Sequence, residues 1–508
     1  MIIKQFFYAI LLITAFSQCV DRDIALDIEG PEYDLAVPLI NSRITIGRVA
    51  AESKGNTSIR IDSDGKATVA YNGDVIRRTA AAIFPPFPGI LDNPIPDTLY
   101  DLPLPFGSPS NIFLIDRATF RNTRIFFEFE HDQPEDVQIR MQILNLKRNN
   151  QHFDQRYTLK YNGNFPNKII TPQFSIDGWE LVSNTNAIRF YYEAVRPNGE
   201  KVRLKNAILR FDLILFSYIE GYLGYHIFGV DGNAIRIGLF NAWKSGGFNF
   251  EDPKIVLRVD NAFGLPVRSR VNKMQLTTVT GNVLSLESPF INTGIDFDYP
   301  GFNEVGKTKS TFFTFDKNNS NIREIFNEKT NLISYDIDAL VNPDRDTTIK
   351  GYIDFDAFFN INVAAEVPLN GYVRELVVSD TLSLDLSAFN SVHSGEFKII
   401  TANDFPAEVS LQIYFLDAEG RRLEELFAAE GLVLPAAVLL PNGRTQRGQE
   451  RTTFVPLSQS KLENMRKSDR VLIEGRLNTT GSAEGKSLWL YDDYGITVKA
   501  GALLKYKK

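Results

Sequence analysis

The chain has 508 residues, a formal net charge of −7 and a single cysteine. Its length exceeds one ordinary core and points to several domains. One thiol excludes an internal disulfide framework and any cysteine-based zinc cage, and the acidic balance, without a long basic block, argues against a nucleic-acid partner. The composition is rich in aromatic residues, with 38 Phe and 19 Tyr, and holds only four Met. That bias favours strands over helices.

The first segment, "MIIKQFFYAILLITAFSQC", places Lys4 ahead of an apolar run from Phe6 to Phe16. The run is shorter than the roughly 20 residues a membrane-spanning helix needs. Its length and basic flank fit a secretory signal peptide over residues 1–18. The stretch ending at Cys19 resembles a bacterial lipobox, with Phe16 where leucine is usual and Gln18 where a small residue is usual. The resemblance implies cleavage before Cys19 and acylation there, palmitate included. A rival cut exists at "AFS" (residues 15–17), which would leave Cys19 as a free exported thiol. Acyl chains would hold the protein on a bilayer at about 0.8 kcal/mol per buried CH₂. The acidic residues that follow, Asp21, Asp23, Asp27, Glu29, Glu32 and Asp34, resemble the surface-export signal of Bacteroidota lipoproteins and read as a solvated tether over 19–35.

Residues 36–84 read as an N-terminal β region, with a hairpin turning at Asp62–Gly65. Residues 85–110 form a proline-rich linker or arm, holding eight of the 24 prolines. Such a stretch is extended and poorly suited to sheet interiors.

A strand, a proline-bearing corner and a second strand then recur three times. The corners fall at Asp132–Pro134, Asn261–Pro266 and Asn403–Pro406. Two later short helices are expected, capped by Asn321 with Glu324 and by Ser460 with Glu463, burying Ile322, Ile325 and Phe326, and Leu462 and Met465. The fold class that follows is all-β, with tandem β-sandwich modules over 111–235, 236–360 and 361–508 and a few short helices. The middle copy, "DPKIVLRVDNAFGLPV" with Pro253, Asn261 and Pro266, resembles the β-sandwich of late-embryogenesis-abundant type 2 (water-stress) proteins over roughly residues 250–345. That resemblance implies a fold and no catalytic residue. The whole chain resembles the large β-rich lipoproteins of Bacteroidota.

"FSYIEGYLGYHIFGV" (216–230) gathers Tyr218, Tyr222 and Tyr225, with Trp243 soon after. Tyrosine has an apolar body and a polar tip, so the stretch suits a partner or glycan surface, or a packed seam between modules. His131, His152, His226 and His393 are too far apart in sequence for a helical metal pair. "GSAEGKS" (481–487) has three residues between its glycines where a phosphate loop needs four. The acidic pairs at 62, 296, 354 and 492 lack EF-hand spacing. No long apolar groove helix marks a lipid carrier. No catalytic residue, metal ligand or cofactor is therefore expected. The sequence reads as a non-catalytic outer-membrane lipoprotein, binding or scaffolding in a cell-envelope assembly at the cell surface. Its expected partners are the lipid bilayer and an outer-membrane protein. The alternatives are a surface glycan-binding lipoprotein and a polysaccharide hydrolase with dispersed carboxylates.

Overall fold

Period-two alternation in the sequence becomes buried faces in the computed structural model. The structure describes residues 32–507, apart from 53–55, 74–75, 84–90, 105–106, 109–110, 230–231, 241–242, 384–389 and 429–430. The leader, Cys19 and the tether up to residue 31 lie outside the described residues. In Val137–Arg148, Val137, Ile139, Met141 and Ile143 are buried while Gln138 points outward. Ile255, Leu257 and Val259 do the same in Lys254–Asn261, and Val409, Leu411, Ile413 and Phe415 in Ala407–Leu416. Side chains two apart share a face, so each strand covers a core on one side.

The three corners share one topology. Each carries the chain from one sheet to another: from Arg124–His131 to Val137–Arg148, from Lys254–Asn261 to Val267–Thr278, and from Val392–Asn403 to Ala407–Leu416. A third strand then returns beside the second: Ala187–Val195, Thr330–Val341 and Arg470–Thr479. A fourth lies beside the first: Asn206–Phe211, Phe358–Pro368 and Gly495–Lys507. All these pairings are antiparallel. Among the described residues the result is three sandwich-like sheet pairs of five and nine, six and six, and four and seven strands. Across the first pair, Phe127 meets Phe190 at 5.8 Å and Phe153 at 6.4 Å between ring centroids. Across the second, Phe297 meets Phe359 at 6.2 Å.

The corners also share a hydrogen-bonding device. Asn261 and Asn403 are buried, and each Oδ1 accepts the backbone N–H two residues on, from Phe263 at 2.9 Å and Phe405 at 3.0 Å. In the first copy His131 takes that place, its Nδ1 3.0 Å from the Gln133 nitrogen. Asn403 Nδ2 also donates to the carbonyls of Ala407 (2.7 Å) and Pro435 (2.9 Å). Asn403→Ala is expected to cost about 3 kcal/mol, because it strands a buried donor and buried acceptors. Urea unfolding measures this, and a loss under about 1 kcal/mol would mean that water repairs the corner.

The N-terminal region does not make a sheet of its own. Glu32–Thr45 pairs antiparallel with Gly495–Lys507 at the edge of the third sheet pair, with a bulge between Pro38 and Ile40. The hairpin of Thr57–Ile61 and Ala67–Asn72 forms where expected, and joins Phe358–Pro368 in the second pair. The proline-rich arm supplies Leu91–Pro94 to one sheet of the first pair and Leu99–Pro103 to the other, with Pro94 and Pro103 at strand ends. Proline is tolerated there because no ladder donor is missed. Residues 32–94 thus add a strand beside the fourth strand of each copy, in the order third, second, first. Trp243–Phe250, expected in the middle module, instead pairs with Asn370–Ser383 in the third. Pairing partners more than a hundred residues away leave no local periodic mark.

Helix Ile322–Asn327 buries Ile322, Ile325 and Phe326 as expected. Its Asn321 side chain does not cap it, because Oδ1 accepts the Glu287 N–H at 2.8 Å and Nδ2 donates to the Ser285 carbonyl. The later helix, Gln459–Arg466, buries Leu462 and Met465 but starts earlier than expected, with Ser458 rather than Ser460 accepting the Lys461 N–H. Where the second and third sheet pairs meet, a cavity of about 230 Å³ remains. Left empty, a void of that size costs on the order of 5 kcal/mol.

Candidate functional site

The tyrosine-rich stretch sits at the seam between the first and second sheet pairs. Phe216–Tyr222 lies between Leu114–Phe120 and Gly351–Asp354, so a strand from the second half of the chain extends the nine-stranded sheet of the first pair. Gly221 faces Gly351 in register. Gly221 has φ of +141°, and a Cβ there would overlap the Leu114 carbonyl oxygen. A Cβ on Gly351 would overlap the Gly264 carbonyl oxygen. Both positions allow a close backbone approach that only glycine permits.

Tyr222 is 4% exposed and offers no face to a ligand. Tyr218 is half-buried; its hydroxyl donates to Glu220 at 2.8 Å, and its ring stacks on Tyr352 at 5.8 Å. Burial, aided by the Glu220 carboxylate, raises the Tyr218 hydroxyl pKa well above its ordinary value. Tyr225 is half-buried, with the Arg345 guanidinium 4.3 Å above its ring and its backbone held on both sides by Asn111. His226 packs against Phe113 and Phe228, its Nε2 2.8 Å from the Leu223 carbonyl. Burial pushes the His226 imidazole below its ordinary pKa, against the Leu223 carbonyl, which favours the protonated form. Trp243 belongs to another sheet, where Nε1 donates to the Gly246 carbonyl at 3.1 Å and the Lys329 ammonium lies 5.1 Å from the ring. The three tyrosines therefore share the seam and the tryptophan does not.

A second feature was not singled out from sequence. An open cleft of about 620 Å³ is lined by Lys66, Asn442, Lys486, Ser487, Trp489 and Tyr491, among others. It joins the hairpin of the second pair to loops of the third. The Lys66 ammonium lies 5.3 Å from the Trp489 ring and 3.1 Å from Asp64, whose hydrogen bond raises the lysine pKa. Arg444 covers Tyr491 at 4.1 Å. The available signal is "KSLWLYDDYG", three aromatics and two acids after a glycine turn, a stretch that the phosphate-loop and EF-hand patterns do not describe. That turn does not present amides to an anion, because the Lys486 N–H donates to the Gly481 carbonyl at 2.9 Å.

The acidic pairs at 62, 296 and 354 each have a member engaged locally. Asp62 accepts the N–H groups of Asp64 and Lys66 at 2.9 and 2.8 Å. Asp296 pairs with Arg268 at 2.6 Å, and Asp354 accepts the Asp356 N–H at 2.9 Å. Among the described residues, no group of three His, Cys, Asp or Glu side chains is placed to hold a metal, and no helix is long and apolar enough to cross a membrane. One buried carboxylate is held in an ion cluster: Glu128, 4% exposed, pairs with Arg210 and with Lys168 at 2.6 Å. Burial works against its ionisation, but the Lys168 and Arg210 hydrogen bonds outweigh it and hold the carboxyl below its usual range.

No family model and no curated protein matches the chain. Among solved structures, a protein of Parabacteroides distasonis provisionally described as secreted aligns at 13% identity and a TM-score of 0.25, covering 56% of this chain and 83% of that one. An archaeal-virus triple jelly roll aligns at 10% identity and a TM-score of 0.11, covering 83% and 91%. The infectious bursal disease virus Gt strain structure aligns at 7% identity and a TM-score of 0.14, covering 91% and 85%. Likenesses this low fix neither fold nor activity for this chain.

Proposed function

We propose that the chain is a non-catalytic lipoprotein, anchored through Cys19 to the outer membrane, that acts as a rigid binding or scaffold component of a cell-envelope assembly. The observation that supports this reading is the double threading of the chain. Residues 32–94 lace a strand into each sheet pair in turn, and the rest of the chain then builds the pairs in the opposite order. A body clipped in this way transmits position from its anchored end, which suits a spacer that presents loops and edges to a partner. The tether would enter beside the third pair, because Glu32 stands opposite Lys507.

Crosslinking in intact cells, followed by purification from the outer-membrane fraction, is expected to recover a stoichiometric membrane-barrel protein. Recovery of the chain alone would remove the scaffold role. Cys19→Ser is expected to move the chain out of the membrane fraction, and retention there would remove the anchor.

The Trp489 cleft favours a second reading, a surface glycan-binding lipoprotein. An aromatic ring flanked by amide, hydroxyl and ammonium groups suits a sugar, and more so an acidic one. On glycan arrays, binding that Trp489→Ala abolishes and Trp243→Ala spares would support it. Binding indifferent to both changes would not.

A further inference from the structure

We infer that the cavity between the second and third sheet pairs is a binding site for one unbranched alkyl chain, of roughly eight to ten carbons. The cavity holds about 230 Å³, and its lining among the described residues is almost wholly apolar. The lining comes from separate elements: Val49 from helix Ile46–Glu52, Phe240 from the short turn Gly238–Phe240, Trp243 and Phe248 from one strand, Val409 from another, and Ile496 from the last. Among the described lining side chains only Thr479 and Trp243 carry a polar atom, and both atoms are already used. Thr479 Oγ1 donates to the Val373 carbonyl at 3.2 Å and accepts its N–H at 3.0 Å, while Trp243 Nε1 bonds the Gly246 carbonyl.

Water needs two to four polar partners to occupy a cavity, and the described lining residues offer none, so an unliganded cavity would stay dry. An apolar cavity of about 150 Å³ takes up benzene, so one of 230 Å³ has room for roughly eight to ten carbons. Its volume is too small for a diacyl lipid or a sterol and its chemistry is wrong for a sugar. A single chain fits, entering past the half-buried lining residues Trp243, Phe250, Val373 and Leu490 and leaving its head at the solvent side. The sequence marks no groove helix, and none is needed. The site arises where two sandwiches meet and neither core fills the gap. Two sources could supply the chain, a free fatty acid or the acyl group on the protein's own N-terminus.

The test uses full-length protein carrying Cys19→Ser, with decanoate as the probe. Calorimetry is expected to give one decanoate bound per chain, with a rise in melting temperature. Val409→Phe and Val378→Phe each fill the cavity; both should weaken decanoate binding at least tenfold while melting no lower than the parent. No binding by the parent, or unchanged binding by two folded filled variants, would overturn the inference. Anchored wild-type protein then separates the sources: lost decanoate binding identifies the attached acyl chain as occupant, and retained binding identifies a free fatty acid.

Discussion

Gly221→Val is expected to destabilise the protein by about 4 kcal/mol, adding roughly 1–3 for overpacking to roughly 1–3 for a side chain at an unfavourable φ. The cost falls on the seam that joins the first and second sheet pairs. A side chain at Gly221 pushes against the Leu114 carbonyl, while Gly351 on the opposite neighbour stands too close to Gly264 to retreat. The strand Gly351–Asp354 should detach first, since it reaches the seam from a distant part of the chain. The loop before it is exposed at residues 344–350, and it is held by Arg345 on Tyr225 and by Lys350, which pairs with Asp116 at 2.6 Å. Trypsin cleavage at Arg345 and Lys350 should therefore accelerate together with the fall in urea midpoint. Gly247→Ala is the control, because a Cβ there meets nothing within 4 Å. A Gly221→Val protein with the parent's midpoint and cleavage rate would mean that the two pairs are not joined through this strand.

The seam also marks the limit of what could be read from the sequence. Alternation with a proline-bearing break was enough to place all three corners, because burial of a strand face repeats every two residues and the break interrupts it. The buried faces of the two short helices were legible for the same kind of reason. Asn261 and Asn403 were visible as corner residues, but their role was not, since a buried amide and an exposed one look alike in sequence. His131 fills the same post with a different side chain, which no pattern search on asparagine would find. Tyr222 is buried, and the sequence left surface and packed seam both open for it because a tyrosine ring suits an interface and a core equally well. The destinations of Glu32–Thr45 and Trp243–Phe250 were invisible, since strand pairing across more than a hundred residues depends on edges that the third dimension creates. The cavity was invisible for a related reason: each of its residues reads as ordinary core, and only their mutual distance leaves a gap.

Glu128→Ala is expected to cost about 3 kcal/mol near neutral pH, as removal of one partner from a buried ion cluster leaves the other charges uncompensated. Arg210 keeps Asp92 at 2.7 Å, which moderates the loss, and Lys168 can turn to solvent. Asp92 itself is exposed, and Asp92→Ala should leave stability nearly unchanged. The pH dependence separates a charge effect from a packing effect. The Glu128 carboxyl is held below its ordinary value in the folded protein, so the unfolded chain takes up its proton first as pH falls. Its contribution is therefore fully present above about pH 4.5 and is lost progressively below it, toward the folded value. The stability gap between parent and Glu128→Ala should shrink across that acid range. His131 acts higher on the scale. Burial lowers its pKa against the pull of the Leu159 carbonyl, Asp132 and Asp136, so its share of stability is present above about pH 6.5 and falls as pH drops below that. Urea unfolding of parent and Glu128→Ala at pH 7, 5.5, 4 and 3 distinguishes the two: the gap should hold between pH 7 and 5.5, where the histidine acts on both proteins alike, and close below pH 4.5. A gap constant down to pH 3 would assign the Glu128 effect to lost packing rather than to its charge.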